Sequence, residues 1–307
     1  MSAALLLAQL LNGLQYGVLL FLLAAGLTLV FGIMSFVNLA HGSLYMLGAY
    51  AAAVVGTQSG SFLLGALAAV GAGLLVGALL EWVAVSRLYR RDHLDHVLAT
   101  FGLVLFFNEL VRMVWGPQPV FVSLPDALSG TVEILGFSYP AYRFLIIVVG
   151  VAVALGSQWL IHKTRVGMLI RAGSVNPAMV AALGVNITFL NAMLFALGAA
   201  LAALAGAMAA PILSVQSGMG DGVLITTLVV IVIGGIGSVA GAFYASVIVG
   251  VVDTLGRSYL PMLLRQIADR DVANAAGPAL ASMLIYLLMA ILLAWRPHGL
   301  FPVHRGK

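Results

Sequence analysis

Two closely spaced histidines are the first candidates for metal chemistry. His93 and His96 lie three residues apart, and Asp92 and Asp95 flank them. A zinc site needs three or four ligands in a tetrahedral arrangement. The chain has no cysteine, and the other histidines are too far away in sequence to complete a cluster. The pattern therefore favours a solvated loop, and we expect neither a metal ligand nor a catalytic residue in this chain.

Nucleotide hydrolysis has no candidate site in the sequence. A phosphate-binding loop requires Gly-x-x-x-x-Gly-Lys-Ser/Thr, because backbone amides and one lysine hold the phosphates. The lysines are Lys163, which follows Ile-His, and Lys307. We therefore predict no cofactor in this chain. If ATP drives its activity, ATP and Mg²⁺ must bind to separate partner subunits.

The composition of the chain predicts the kind of fold that positions these residues. Of the 307 residues, 63% are hydrophobic and 8% are charged. Soluble domains are about 45–50% apolar and about 25% charged. A spanning helix needs about 20 apolar residues, so the chain has room for roughly eight to ten spans. The prediction is an all-α, polytopic transmembrane helical bundle, with residues 1–307 in a single domain. The first run, 4–34, is too long for a removable signal, so we expect a retained helix.

The apolar runs that support this prediction are separated by short polar or glycine-rich stretches. They lie at residues 5–34, 39–56, 62–83, 96–115, 143–161, 187–210, 223–236, 240–256 and 279–295.

Two of these stretches break the apolar pattern at membrane depth. Irregular backbone at that depth is tolerated only against protein or a water-filled cavity, and interrupted segments of transporters point to the transport pathway. The translocation-path candidates are Asn38, His41, Gly42 and Ser43 in the first break, and Gly234, Gly235, Gly237 and Ser238 in the second. The alternative is that Asn38 and His41 only cap backbone groups that the break leaves free.

Several charged residues stand near the ends of apolar runs. These are Glu81, Glu109, Arg112 and Asp253. Side chains at such positions usually extend to the membrane interface, so the sequence assigns them no transport role. It also predicts no acidic residue at the centre of a span, which argues against a proton-driven carrier. A carrier driven by a sodium gradient remains an alternative function.

Basic residues predict the orientation, because cytoplasmic loops carry an excess of Lys and Arg. The clusters predicted to be cytoplasmic are Arg87, Arg90 and Arg91, then Lys163, Arg165 and Arg171, and finally Arg296, Arg305 and Lys307. They form no continuous basic stripe, so we expect no nucleic-acid partner. The pattern places the N-terminus outside and the C-terminus inside.

The loop at 162–186 carries a strong local signal. Asn176-Pro177 is typical of a helix start, with Asn as the cap and Pro in the first turn. A short helix to Leu183 would end at Gly184. Such a helix either docks into a groove of a partner or lies on the membrane surface.

Three blocks of the sequence carry a family resemblance. They are 12–50, with NGLQYG at 12–17, AGLTLVFGIM at 25–34, VNLAHG at 37–42 and YMLGAY at 45–50; then GMLIRAGSVNPAMVAALG at 167–184; and VIGGIGSVAGA at 232–242. In these blocks the chain resembles the membrane permease subunit of branched-chain amino acid type ABC importers of bacteria.

The resemblance implies several expectations about function. The protein would be a multi-pass permease of the bacterial inner membrane, in contact with membrane lipid. Its partners would be cytoplasmic ABC ATPases, a second related permease and a periplasmic binding protein. The solutes of such importers are branched-chain amino acids, other amino acids, urea, short amides and aromatic acids. The residues that match the family's ATPase-docking loop are Arg171, Ala172, Asn176, Pro177, Ala181 and Gly184. A self-sufficient secondary transporter or channel is the alternative.

Overall fold

The computed structural model of the chain describes residues 3–34, 36, 38–89, 91–134, 137–266 and 269–301. These residues are mostly helical. The helices are α1 (Ala3–Met34), α2 (His41–Ser59), α3 (Phe62–Leu80), α4 (Ser86–Leu88), α5 (His93–Trp115), α6 (Ala141–Lys163), α7 (Arg165–Val175), α8 (Pro177–Ala182), α9 (Ile187–Ala209), α10 (Met219–Gly234), α11 (Val239–Leu264) and α12 (Arg270–Trp295). A five-residue π-helical turn, Glu81–Val85, joins α3 to α4.

Seven helical segments of the described chain are long and apolar enough to cross a membrane. They are Leu5–Gly32, Phe62–Leu88, His93–Trp115, Ala141–Lys163, Ile187–Ala209, Val239–Leu264 and Arg270–Trp295. The less hydrophobic α2 and the shorter α10 pack among them. The predicted fold class, a polytopic helical bundle, is confirmed. The seven candidate spans of the described residues are fewer than the eight to ten predicted, because α2 is less hydrophobic and α10 is shorter than a spanning helix.

The centre of the bundle is formed by α1, α2 and α9, which are the most deeply buried helices. Helix α1 packs against α9 and α11, and α2 packs against α3 and α9, which also contact each other. Small residues allow these close approaches, as expected where no hydrophobic force acts between helices in lipid. Gly26 of α1 meets Gly198 of α9, and Gly48 of α2 meets Ala203. Helices α5, α6 and α12 surround this core and expose most of their apolar side chains.

Polar residues placed just before helices define where several of them begin. Each accepts a hydrogen bond from a free backbone N–H of the first turn, which would otherwise lack a partner. These caps are Ser61 for α3, Thr164 for α7, Asn176 for α8, Asn186 for α9 and Ser238 for α11.

A small hairpin covers one end of the bundle between α5 and α6. Strand β1 (Thr131–Ile134) pairs antiparallel with β2 (Phe137–Pro140), in a register that sets Thr131 opposite Pro140. A bridge between Val120 and Val215 ties the same connection to the segment before α10. This end lies opposite the predicted cytoplasmic loops.

Those loops meet at the other end of the bundle. Tyr89 and Pro177 line one cavity there, and Gly235 packs against Phe301 near the C-terminus. The described residues of the three predicted basic clusters thus lie on one side, as the orientation prediction requires. Arg90, Arg305 and Lys307 of these clusters lie outside the described residues.

Candidate functional site

The loop between α6 and α9 folds as the sequence predicts. The Asn176 side-chain oxygen accepts a hydrogen bond of 3.0 Å from the Met179 amide, and Pro177 is the first residue of α8. Gly184 then takes a left-handed φ of 85°, a conformation that glycine adopts without a steric penalty. The prediction of a short helix is confirmed, although α8 ends one residue before Leu183.

Helix α8 is turned outward from the bundle. Val180 is its buried side chain, whereas Met179 is 63% exposed and Leu183, just beyond the helix, is 78% exposed. Ala181 and Gly184 are exposed as well. A partner can cover Ala181 and Gly184, unlike Met179, at low cost in side-chain entropy. The preceding helix is fixed to the bundle, because Arg171 donates a hydrogen bond to the carbonyl of Ile161 in α6.

A cavity of about 280 Å³ separates the start of α8 from the end of α1. Met34, Tyr89, Gly173, Pro177 and Asn191 are among the residues that line it. Helix α8 therefore lies next to the point where α1 leads into the first break.

Tyr89 connects this cavity to a buried carboxyl group. Its hydroxyl donates a 3.0 Å hydrogen bond to Glu81 Oε1 in the π-helical turn. Burial and the nearby Glu81 both raise the pKa of Tyr89, so the phenol stays protonated and remains a donor. π-helical turns occur frequently at functional sites. The sequence indicated an interfacial position for Glu81, but its side chain is buried because the turn directs it into the bundle.

The first break returns the chain into the bundle before α2 begins. His41, the first residue of α2, has Nε2 at 3.2 Å from the carbonyl oxygen of Leu23. Leu23 is about one turn from Gly26, which packs on Gly198 at the middle of α9. Helix α2 therefore starts inside the membrane-spanning region.

Helix α10 begins at the same depth in the bundle as α2. A Cβ atom added at Gly42 would lie 2.6 Å from the carbonyl oxygen of Gly220, near the N-terminus of α10. No side chain fits at that distance. Two helix N-termini thus come together in the interior of the bundle, and turn hydrogen bonds already pair the Ser43 amide with the Ala40 carbonyl and the Asp221 amide with the Gly218 carbonyl.

Unpartnered polar side chains lie at the start of α2. Both side-chain polar atoms of Asn38 and the hydroxyl of Ser43 have no hydrogen-bond partner among the described residues. Each residue is at most 2% exposed. Buried polar groups are nearly always hydrogen-bonded, so these atoms require a partner such as water or a solute. Val37, which belongs to the same sequence block, lies outside the described residues.

The second break is held by positive-φ glycines and by the C-terminal segment. Gly235 and Gly237 have φ values of 100° and 85°, and Ser238 caps α11 by accepting from the Gly241 amide at 3.0 Å. The Phe301 amide donates to the carbonyl oxygen of Gly234 at 3.0 Å. The residues after α12 therefore satisfy carbonyl groups at the end of α10.

The two breaks do not share a described cavity. Gly237 and Ser238 line a cavity together with Arg171, so the structure brings residues of the second break and of the 162–186 loop together. Asn38, His41 and Gly42 are instead buried between α1 and α10.

A membrane-embedded ion pair is the feature that sequence reasoning missed. Arg257 Nε lies 2.8 Å and 2.9 Å from the two carboxylate oxygens of Asp253, and Arg257 Nη2 donates to Ser282 of α12 at 3.0 Å. Asp253 is 4% exposed. It lies about 21 Å along α11, which is about 39 Å long at 1.5 Å per residue.

This position corrects the sequence prediction for Asp253. The predicted apolar run ends at Gly256, but α11 continues to Leu264 and places Asp253 well within the span. The prediction that no acidic residue lies at the centre of a span is therefore wrong for Asp253. The Tyr16 side chain of α1 interacts electrostatically with both Asp253 and Arg257, so the pair belongs to a polar contact between α1, α11 and α12.

Among the described residues, no three His, Asp or Glu side chains are grouped as a metal site requires. His93 and His96 have ring centroids 5.7 Å apart, and His96 Nε2 is 2.8 Å from the carbonyl oxygen of Leu88. His96 thus helps to hold the turn between α4 and α5.

Comparison with known proteins gives consistent matches over most of the chain. Residues 9–293 match the family described as branched-chain amino acid transport system / permease component. The chain is 30% identical to the high-affinity branched-chain amino acid transport system permease protein BraD of Pseudomonas aeruginosa, over 96% of this chain and 95% of BraD.

Two further relatives show the range of these matches. The high-affinity branched-chain amino acid transport system permease protein LivH of Escherichia coli K12 is 29% identical over 83% of this chain and 87% of LivH. The ribose import permease protein RbsC of the same organism is 28% identical over 80% of this chain and 78% of RbsC. No solved structure gives a significant match.

Proposed function

Because the chain belongs to the family of branched-chain amino acid transport system permease components, we propose that it is the permease subunit of an ATP-binding cassette importer. It moves branched-chain amino acids, or a related small polar or carboxylate solute, inward across the cytoplasmic membrane. The family match over residues 9–293 is the observation that carries this proposal, and the bundle of spanning helices supports it.

Helix α8 is the proposed coupling element. Arg171, Ala172, Asn176, Pro177, Ala181 and Gly184 would form or hold the surface on which an ATPase subunit docks. Two observations support this role: the outward face of α8 and its position beside the cavity at the end of α1. ATP and Mg²⁺ would bind to the ATPases, and their closure would displace α8. The adjoining Met34 and Tyr89 would transmit this movement to the first break.

The proposed translocation path passes the start of α2. Asn38 and Ser43 offer unpaired polar atoms there, and the N-termini of α2 and α10, which carry the positive ends of the helix dipoles, meet beside them. Half-helix N-termini in this position can bind the anionic groups of solutes, which fits the carboxylate of an amino acid. His41 and Gly42 would position this element through their contacts with Leu23 and Gly220.

The second break has a different proposed role. Gly234, Gly235, Gly237 and Ser238 lie at the cytoplasmic end, where positive-φ glycines join α10 to α11. We propose that they form a wall and hinge of the path, because glycine absorbs backbone rotation at low cost. The full transporter would also contain a second related permease and a periplasmic binding protein that selects the solute.

Co-purification tests the proposed dependence on ATPases. The tagged chain, produced together with the ATPase subunits encoded beside it, should retain them in mild detergent. Ala181→Trp places bulk on the exposed face of α8 and should abolish this retention. Leu75→Trp adds similar bulk on the 74% exposed apolar side of α3 and should leave retention unchanged.

Two outcomes would contradict the docking proposal. One is retention of ATPases by the Ala181→Trp variant at the level of the unmodified chain. The other is a chain that transports solute in vesicles without any ATPase, which would favour a self-sufficient secondary transporter or channel.

A further inference from the structure

A second cavity, of about 270 Å³, lies at the cytoplasmic end between α1, α6, α7 and the second break. Its polar lining consists of Thr28, Gln158, His162, Arg171, Ser174 and Ser238. The sequence contains no Asp or Glu between Glu133 and Asp221, or between Asp221 and Asp253. The cavity is therefore lined by hydrogen-bonding and cationic side chains without any acidic residue.

The charged group of this cavity is already oriented. Arg171 uses one guanidinium nitrogen to donate to the carbonyl of Ile161, which holds the side chain across the lining. No carboxylate lies within 4.0 Å of it among the described residues. A guanidinium group has five N–H donors, so others remain for an anion. Bidentate binding of phosphate is a common use of such a group.

The N-terminus of α11 adds to the attraction for an anion. Val239 and Ala240 line the cavity directly after the cap residue Ser238. The first N–H groups of a helix have no partner within the helix and carry partial positive charge, so they attract negatively charged groups.

A buried hydroxyl group in the lining points independently to a ligand. Thr28 of α1 is 0% exposed, and its Oγ1 atom has no hydrogen-bond partner among the described residues. An unpaired buried hydroxyl is destabilising. A bound polar group or water in the cavity would remove this penalty.

The remaining lining is apolar and identifies the class of ligand. Leu29, Ile161, Ile170 and Val239 line the cavity together with the polar groups. Helix α6, which forms one side, is a peripheral helix with little of its span buried. A ligand with an anionic head and an apolar chain matches this lining, and basic pockets between helices on the cytoplasmic side are suited to anionic lipids.

We propose that this cavity binds the phosphate head group of an anionic phospholipid from the cytoplasmic leaflet. Arg171, His162 and the first amides of α11 hold the phosphate, and the apolar residues hold the start of an acyl chain. The lipid then bridges α7, which precedes α8, and the second break. Anionic lipid thereby stabilises the cytoplasmic end of the bundle.

Native mass spectrometry of the delipidated full chain tests this site without ATPases or transport, so its result is independent of the proposed function. Phosphatidylglycerol should bind at least about tenfold more tightly than phosphatidylcholine, because both lipids carry the phosphate but the choline cation of the latter cancels its charge and is repelled by Arg171; tenfold corresponds to about 1.4 kcal/mol. Arg171→Gln should remove this preference. Thr28→Val, which keeps the shape of the side chain, should weaken phosphatidylglycerol binding by about threefold.

Lys163→Gln is the matched control, because Lys163 lies in the same loop but does not line the cavity. It should bind phosphatidylglycerol like the unmodified chain. Equal binding of the two lipids, or an Arg171→Gln variant that keeps the preference, would overturn the proposal. Displacement of phosphatidylglycerol by millimolar inorganic phosphate would also overturn it, because the cavity would then be a site for a free anion.

Discussion

Asp253 and Arg257 form an ion pair one helical turn apart, and the Arg257 side chain is directed toward the membrane interior. Its Nε atom lies 2.8 Å and 2.9 Å from the two oxygens of Asp253. Asp253 precedes Arg257 in a helix that runs outward from the second break, so the guanidinium group points away from the outer interface. Charged groups at this depth normally face protein or water and mark functional regions.

Neutralising one partner of this pair should destabilise the protein. Asp253→Asn leaves Arg257 without a carboxylate, and we expect a loss of about 1–2 kcal/mol in the free energy of unfolding. Fully buried pairs lose about 3–5 kcal/mol, but Arg257 keeps its hydrogen bond to Ser282 in this variant, so we expect a smaller loss. The apparent melting temperature in detergent measures the change.

The double variant Asp253→Asn/Arg257→Gln is the control for this prediction. It removes both charges and should recover most of the lost stability. An Asp253→Asn variant that melts like the unmodified chain, or a double variant that melts no higher than the single, would show that the pair does not stabilise α11.

The close contact of Gly42 with Gly220 makes a prediction about backbone packing. Gly42→Ala would place a methyl group 2.6 Å from the Gly220 carbonyl oxygen. It should cost about 1–3 kcal/mol, as overpacking of a core does. Gly71→Ala in α3 is the control, since no atom lies within 4 Å of its added Cβ. Thermal melting of both variants in detergent measures this difference. A Gly42→Ala variant as stable as Gly71→Ala would contradict the account.

Local signals explain why part of the structure could be predicted from the sequence. Helix α8 is determined by Asn176, Pro177 and Gly184, whose capping and turn preferences act within a few residues. The spanning helices follow from apolar length, because lipid enforces that pattern everywhere along the chain.

Long-range packing explains what the sequence did not reveal. The depth of Asp253 depends on how far α11 continues beyond a run interrupted by charges, and on the cover given by α1 and α12. The contact of Gly42 with Gly220 joins segments far apart in the chain, and no local pattern encodes it. The same holds for Phe301, which caps the end of α10 from the C-terminal segment.

A substitution at Asn38 can separate an effect on protein stability from an effect on solute uptake. Asn38→Leu keeps a similar volume but removes two buried polar atoms that have no described partner. If Asn38 contacts the solute, uptake should fall by roughly five- to tenfold, while the melting temperature stays equal or rises. Uptake and melting temperature should be measured on the same preparation. A variant that loses stability and uptake together would assign Asn38 a structural role, and unchanged uptake would remove it from the path.

The cap of α8 gives a prediction about coupling. Asn176→Ala removes the hydrogen bond to the Met179 amide and should cost about 1 kcal/mol of local helix stability. Because α8 is short, it should unwind at its start, and solute uptake per ATP hydrolysed should fall. Ser61→Ala removes a cap of the same kind from α3 at the opposite end. Equal coupling ratios in the two variants would contradict a coupling role for α8.

Uptake of labelled leucine into proteoliposomes tests the central claim most directly. The chain would be reconstituted with its neighbouring permease and ATPases, with ATP on the side of α8 and the binding protein on the other. The account predicts uptake that requires both ATP and the ATPases. Leucine uptake by the chain without ATPases would contradict it.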